Sequence, residues 1–163
     1  MWLSRNSRPS RGFTLVEMLA VVAIVGVLAS AAQPLLLWAH KREKEYALRQ
    51  ALRTLRNALD DYHQAVREGR VTVPVGDNGY PRDLRQLLDG VPLAGQPNAA
   101  KRIYFLRRIP RDPLADAQLP PEQTWGLRSY DSPPNDPRPG TDVYDVYSRS
   151  EARAIDGTRY RDW

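Results

Sequence analysis

A run of almost wholly apolar residues from Phe13 to Ala39, with Glu17 its one charged side chain, constrains this chain more than any other feature. About 20 such residues wound as a helix cross the hydrocarbon core of a bilayer, so the run is long enough to span a membrane. Upstream stands a short basic leader, Met1 to Gly12, carrying Arg5, Arg8 and Arg11. The order is unusual. A secretory signal peptide is cut after its apolar core, whereas cutting at the Gly12–Phe13 junction leaves the core attached to the product. The spanning helix is then the working part of the mature protein, and the rest lives at a membrane surface.

Charge and composition narrow the function classes. Of the formal net charge of +5, three positive charges belong to the leader, and the remaining surplus of two is that of a solvated surface. Without a basic stripe or a recognisable reader motif, no nucleic-acid partner is expected. Cysteine is absent, which removes disulfide frameworks, cysteine zinc sites and thiol nucleophiles. Asp60 and His63 stand at a helical i, i+3 spacing, but a metal site needs further ligands, so they read as a surface helix pair. No glycine-rich phosphate loop, nucleophile elbow or pair of facing acids appears, and Ser129 or Asp131 lacks the partners catalysis demands. No catalytic site is expected.

The remainder of the chain divides by periodicity. Leu48, Leu52, Leu55, Leu59, Tyr62 and Val66 recur at spacings of three and four, with Ala51, Ala58 and Ala65 in the same stripe, which predicts an amphipathic helix over 40–68. Gly69 supplies a stop. Joined to the apolar run, this makes a rod of roughly 80 Å. Pro34 lies inside it, where a missing donor and a crowded preceding turn predict a kink or a locally melted turn without ending the helix. Twelve of the 14 prolines lie between Pro74 and Pro139, so residues 69–163 are expected as loops and short strands. Asp83 to Asp89, closed by Gly90, reads as a short helix. Thr124 to Tyr130 and Asp142 to Ser148 read as strands, with Ser132 to Thr141 as their link. Two strands alone are marginal, and packing them on the Leu48–Val66 stripe buries both apolar surfaces. The expected fold is α+β, a long helix carrying a small antiparallel sheet, with a soluble head over 40–163.

Across Arg11-Gly-Phe-Thr-Leu-Val-Glu-Met-Leu the sequence resembles the type IV pilin superfamily, whose precursors share a Gly-Phe-Thr-Leu-x-Glu junction before an apolar helix. The resemblance implies that a membrane prepilin peptidase cuts after Gly12 and methylates the new amine of Phe13, and that Glu17 and Pro34 occupy the acidic and helix-kinking places. A carboxylate inside an apolar helix is costly unless paired or close to the interface. For Glu17 a neighbouring subunit's Phe13 amine is a suitable partner, which would neutralise both and set the register of a helical filament; the other reading leaves Glu17 among lipid headgroups. Basic residues flank the run on both sides, Lys41, Arg42 and Lys44 answering the leader, so charge does not orient it. The resemblance implies a cytoplasmic leader, a single pass through a bacterial inner membrane and a periplasmic head. Trp38 and His40 stand where an aromatic anchor commonly marks the membrane exit.

Within that superfamily the head is most similar to the major pseudopilins of type II secretion systems. Ile109-Pro-Arg-Asp-Pro113, Tyr144-Asp-Val-Tyr-Ser148, Asp156-Gly157 and Trp163 fit the order of that family's motifs. Leu114 replaces the usual aromatic, and 115–123 looks inserted. The resemblance implies a pseudopilus subunit, a homo-oligomer in a helical filament with minor pseudopilins, served by the prepilin peptidase and an inner-membrane assembly platform and embedded in the lipid bilayer before extraction. It also implies a calcium site in the terminal loop, for which Asp156 and Asp162 are the candidates, with Glu151 nearby. Against it stand Arg149, Arg153, Arg159 and Arg161, which repel a cation, so a plain turn at Asp156-Gly157 is the alternative. Other readings of the whole chain are a type IV pilin, minor pilin or competence pseudopilin, and a signal-anchored periplasmic binding module.

Overall fold

The structure, a computed structural model, describes residues 12–95 and 101–163, with the side chains of 31–34 outside the description. The basic leader therefore lies outside the described residues, apart from Gly12. Helix α1 runs over Leu15–Arg67 and is followed by helix α2 (Leu84–Asp89), strands β1 (Val91–Pro92) and β2 (Arg102–Ile103), and strands β3 (Trp125–Arg128) and β4 (Asp145–Ser148). Short 3-10 turns at Pro121–Gln123 and Tyr160–Asp162 complete the order. This is the expected α+β layout, a long amino-terminal helix with small antiparallel sheets. The chain divides between His40 and Lys41 into two units.

In the first unit the backbone is helical from Leu15 onward and stays so through Pro34. No melted turn interrupts it there. In the second unit α1 buries one stripe: Leu48, Leu52, Leu55, Ala58, Leu59, Tyr62 and Ala65 are all at most 3% exposed. The helix ends one residue before the expected Glu68. Arg70 N–H donates to the Ala65 carbonyl (2.9 Å) and Gly69 N–H to that of Val66 (2.9 Å), a closure that needs the positive φ of Gly69 (69°).

Against that stripe lies a single apolar cluster containing Leu84 and Leu87 of α2, Val91, Leu106 and Ile109, then Trp125, Val143 and Val146, and finally Ala154 and Tyr160. Strand β3 pairs antiparallel with β4 in the register Trp125 to Ser148, Gly126 to Tyr147, Leu127 to Val146 and Arg128 to Asp145. Alternation then separates the two faces. Trp125, Val146 and Ser148 are fully buried, whereas Arg128 and Asp145 form a partly exposed ion pair at 3.6 Å. At Gly126 the missing side chain leaves room for the Tyr147 ring that covers it, and an added Cβ would have to displace that ring.

Both strands are shorter than expected. The residues read as strand ends turn away for specific partners: Thr124 Oγ1 donates to the Pro121 carbonyl (2.6 Å), and Asp142, buried, accepts from Tyr130 N–H (2.8 Å) and Asn78 Nδ2 (3.0 Å). Helix α2 matches its expected span, with the Asp83 side chain accepting from Gln86 N–H (2.8 Å) and Arg102 donating to the Asp89 and Gly90 carbonyls at its other end. The β1–β2 pair was not expected. Two residues per strand, one of them Pro92, leave no alternation to detect.

Two polar sutures close the head. Asp112, buried, accepts from Ser148 Oγ (2.6 Å) and Leu114 N–H (2.8 Å), joining the segment before β3 to the end of β4. Glu45 on α1 accepts from Ile155 N–H (2.8 Å) and Tyr160 Oη (2.9 Å) through one oxygen, which ties the carboxyl-terminal segment to the helix. Burial, and then the hydrogen bond to Glu45, push the Tyr160 phenol up to about 12. Each charged hydrogen bond of this kind contributes roughly 1.5–3 kcal/mol.

Three outcomes are expected for the full chain in detergent. Leu55→Ala opens a cavity at the centre of the stripe and lowers unfolding stability by about 2–5 kcal/mol in chemical denaturation. Ser148→Ala removes a partner from buried Asp112 and costs about 1–3 kcal/mol. The third concerns pH: the fold favours the neutral phenol of Tyr160, so its contribution is complete below the ordinary tyrosine value of 10.0 and is lost as pH rises toward about 12. Alkaline unfolding followed by circular dichroism should therefore be shallower between those limits in Tyr160→Phe.

Candidate functional site: the amino-terminal motif

Gly12, Phe13 and Thr14 precede the first turn of α1 as irregular backbone. Thr14 serves as the helix N-cap: its Oγ1 accepts from Glu17 N–H (3.2 Å), and its carbonyl accepts from Met18 N–H (3.1 Å). Thr14 and Glu17 thus stand at the Thr-x-x-Glu spacing of a capping box. An acid in the first helical turn also meets the positive end of the helix dipole, which favours Glu17 independently of any partner subunit. This role of Thr14 was legible in the sequence, since the spacing is the same pattern that opens many soluble helices.

Glycine at position 12 answers no packing demand among the described residues, because an added Cβ there would meet nothing within 4 Å. Phe13 is 75% exposed, and Leu15, Val16, Leu19, Val22, Ile24, Val27, Leu28 and Leu35 to Leu37 are exposed as well. By length and composition α1 carries a stretch able to cross a membrane, none of it buried inside the protein. An apolar surface of this extent around a helix has to be covered by lipid or by other protein. At Pro34 the backbone is helical, and its side chain is outside the described set.

The calcium candidates are placed differently from a cation cage. Asp156 Oδ1 accepts from Thr158 N–H (2.9 Å) and Oγ1 (2.6 Å), while Oδ2 accepts from Arg49 (3.4 Å). The Thr158 hydroxyl and amide, with the Arg49 guanidinium, hold the Asp156 carboxyl below its usual range. Asp162 faces Arg159 at 3.7 Å, and Glu151 faces Arg161 at 3.5 Å. Among the described residues no three His, Cys, Asp or Glu side chains gather to hold a metal ion. The acids of the loop are matched to arginines, and they do not converge on one point.

His63 also departs from its sequence reading. Its ring stacks on Tyr80 at 4.4 Å and contacts the Gly79 carbonyl at 3.2 Å, placing it in a cluster with Tyr130 and Tyr144. Ser148 is a buried structural donor to Asp112. The residues that sequence reasoning passed over are Glu45, Arg49 and Arg56, all on the head half of α1. One signal was available: Glu45 precedes Leu48 by three and Leu52 by seven, so it stands in the register of the buried stripe.

Comparison with known proteins bears on this site directly. Residues 7–33 match the prokaryotic N-terminal methylation motif. The chain is 30% identical over 113 residues to the type II secretion system core protein G of Escherichia coli (strain K12), covering 67% of this chain and 70% of that one. It is 29% identical over 111 residues to the protein of the same name from Aeromonas hydrophila, covering 66% and 70%. For that from Pectobacterium carotovorum subsp. carotovorum the identity is 31% over 113 residues, covering 67% and 65%. No solved structure matches the chain at a significant level. A methylation motif at the mouth of an exposed apolar helix, together with this likeness across the greater part of the chain, shows that it belongs to the type II secretion system core protein G family.

Proposed function

We propose that the chain is a structural subunit of a type II secretion pseudopilus, built to assemble through the apolar half of α1 and to help drive protein export across the outer membrane. The observation that carries the reading is the contrast between the two halves of one helix. From Leu15 to Leu37 its large apolar side chains are exposed, whereas from Leu48 to Ala65 they are covered by the chain's own head. The first half requires an external apolar partner, and lipid before assembly followed by neighbouring helices afterwards supplies one.

In this reading the leader is removed between Gly12 and Phe13 by a prepilin peptidase, and the new amine of Phe13 is methylated. The mature subunit is held in the inner membrane by residues 13–39, with residues 40–163 as a periplasmic head. On extraction into the filament, Glu17 pairs with the Phe13 amine of a neighbouring subunit. A charge pair in apolar surroundings is worth far more than one in water, and a subunit shifted out of register leaves both charges unpaired. Pro34, with no amide hydrogen to donate, marks a place where the helix can adjust its packing at little cost. Partners are further copies of the chain, minor pseudopilins and an inner-membrane assembly platform. The chain contributes no catalytic group of its own.

Two measurements test this. Intact mass and amino-terminal sequencing of the protein from its native membrane should find Phe13 first and methylated; retention of residues 1–12 where a prepilin peptidase is active sinks the reading. Glu17→Ala should remain membrane-bound with a folded head while filament assembly, and with it secretion, falls by an order of magnitude or more, the scale of a few kcal/mol for an unpaired charge. Intact secretion in a deletion strain that has lost twitching, adhesion or DNA uptake would assign the subunit to a type IV pilus or competence filament.

A further inference from the structure

The carboxyl-terminal segment, residues 149–163, has little apolar surface with which to hold itself in place. Only Ala154 and Tyr160 are buried in the core, Trp163 packs partly against it, and among the described residues the segment's isolated β-bridge joins Arg153 to Arg159 within the segment itself. What ties the segment to the head is polar, and much of it comes from a single element. Glu45, Arg49 and Arg56 stand at i, i+4 and i+11, three turns along one side of α1.

Glu45, 9% exposed, takes Ile155 N–H and Tyr160 Oη on one carboxylate oxygen. One turn on, Arg49 reaches Asp156 at 3.4 Å, and its guanidinium lies over the Trp163 ring at 4.2 Å from the centroid. Arg56 donates to the Trp163 carbonyl (2.6 Å), the Val146 carbonyl (3.1 Å) and Asp145 (2.8 Å), which fastens the end of the segment to β4. Thr158 links the same parts from within, donating to Asp156 and accepting from Trp163 Nε1 (2.7 Å).

We propose that this chain closes its carboxyl-terminal segment with Glu45, Arg49 and Arg56 of its own helix, acting as positioning residues in the loop where the resemblance implied a calcium site, and that the closure is independent of divalent cations. A calcium ion gathers six to eight oxygens, several of them carboxylate. Here the oxygens that could serve are already taken: both of Asp156, by Thr158 and Arg49, and one each of Asp162 and Glu151, by Arg159 and Arg161. A cation at Asp156 would have to displace the Arg49 guanidinium and then remain beside it. Four arginines against three acids in 149–163 leave the segment's side chains net positive, which opposes a divalent cation, whereas the acidic oxygens suit guanidinium groups. The arrangement also explains why charged residues of α1 lie beside the apolar stripe: they extend the core's hold to a segment too polar to join it.

Hydrogen–deuterium exchange of the full chain in detergent, read by mass spectrometry on peptides from 149–163, tests the proposal with EDTA in one arm and millimolar calcium in the other. Tail exchange and the melting temperature should be the same in both arms. Glu45→Ala should speed tail exchange about tenfold while peptides from β3 and β4 keep their protection, and Arg49→Ala should do so to a smaller degree. Calcium should not restore either variant. Slower tail exchange or a higher melting temperature in calcium overturns the proposal, as does unchanged tail exchange in both variants or a loss of protection that spreads equally through β3 and β4 in both. None of these readouts depends on filament assembly, so failure here and failure of the pseudopilus reading are separate results.

Discussion

Burial of the α1 stripe from Leu48 to Ala65 gives the later half of the chain a surface on which to fold. Between Pro74 and Pro139 the proline density disfavours any long helix or strand, and among the described residues the longest strands of that half have four residues. A two-stranded sheet of that size is marginal in water. It persists because Trp125 and Val146 insert into one cluster with Leu48, Leu52, Leu55 and Leu59, so that sheet and helix hide each other's apolar faces. Removing the stripe would leave short, proline-separated pieces with no common core.

The same helix has a second surface of the opposite kind. Toward its amino end the described apolar side chains stand exposed. A soluble helix does not tolerate this, because each exposed Leu or Val forgoes stabilisation that an apolar neighbour would provide. One unit thus satisfies its own burial, and the other requires lipid or other protein. For a protein of the core protein G family this division separates the surface that folds the head from the surface that needs an outside partner.

Much of this was readable beforehand. Periodicity at three and four located the stripe, Asp83 and Gly90 bracketed α2, and the Gly12 to Glu17 junction located the motif. The strands beside Trp125 and Val146 were also visible, although their ends were not, since Thr124 and Asp142 have strand-like neighbours but spend their side chains on turns and loop closure. The β1–β2 pair left no trace in the sequence, because two residues per strand carry no period. Asp112 and Ser148 were noticed as parts of separate motifs 36 residues apart; that they form one buried hydrogen bond is a fact of the folded chain.

What the sequence determined by itself are the properties that depend on near neighbours: the apolar run, the helical stripe, the caps and the proline breaks, each set by residues within a turn or two. The tertiary structure alone decided which distant polar groups meet. Asp156 and Asp162 are cation ligands or arginine partners according to what stands across from them, and what stands across from Asp156 is Arg49, 107 residues away. Electrostatic and hydrogen-bonding partners are chosen by distance in space, and a one-dimensional pattern records charge and periodicity without recording that distance.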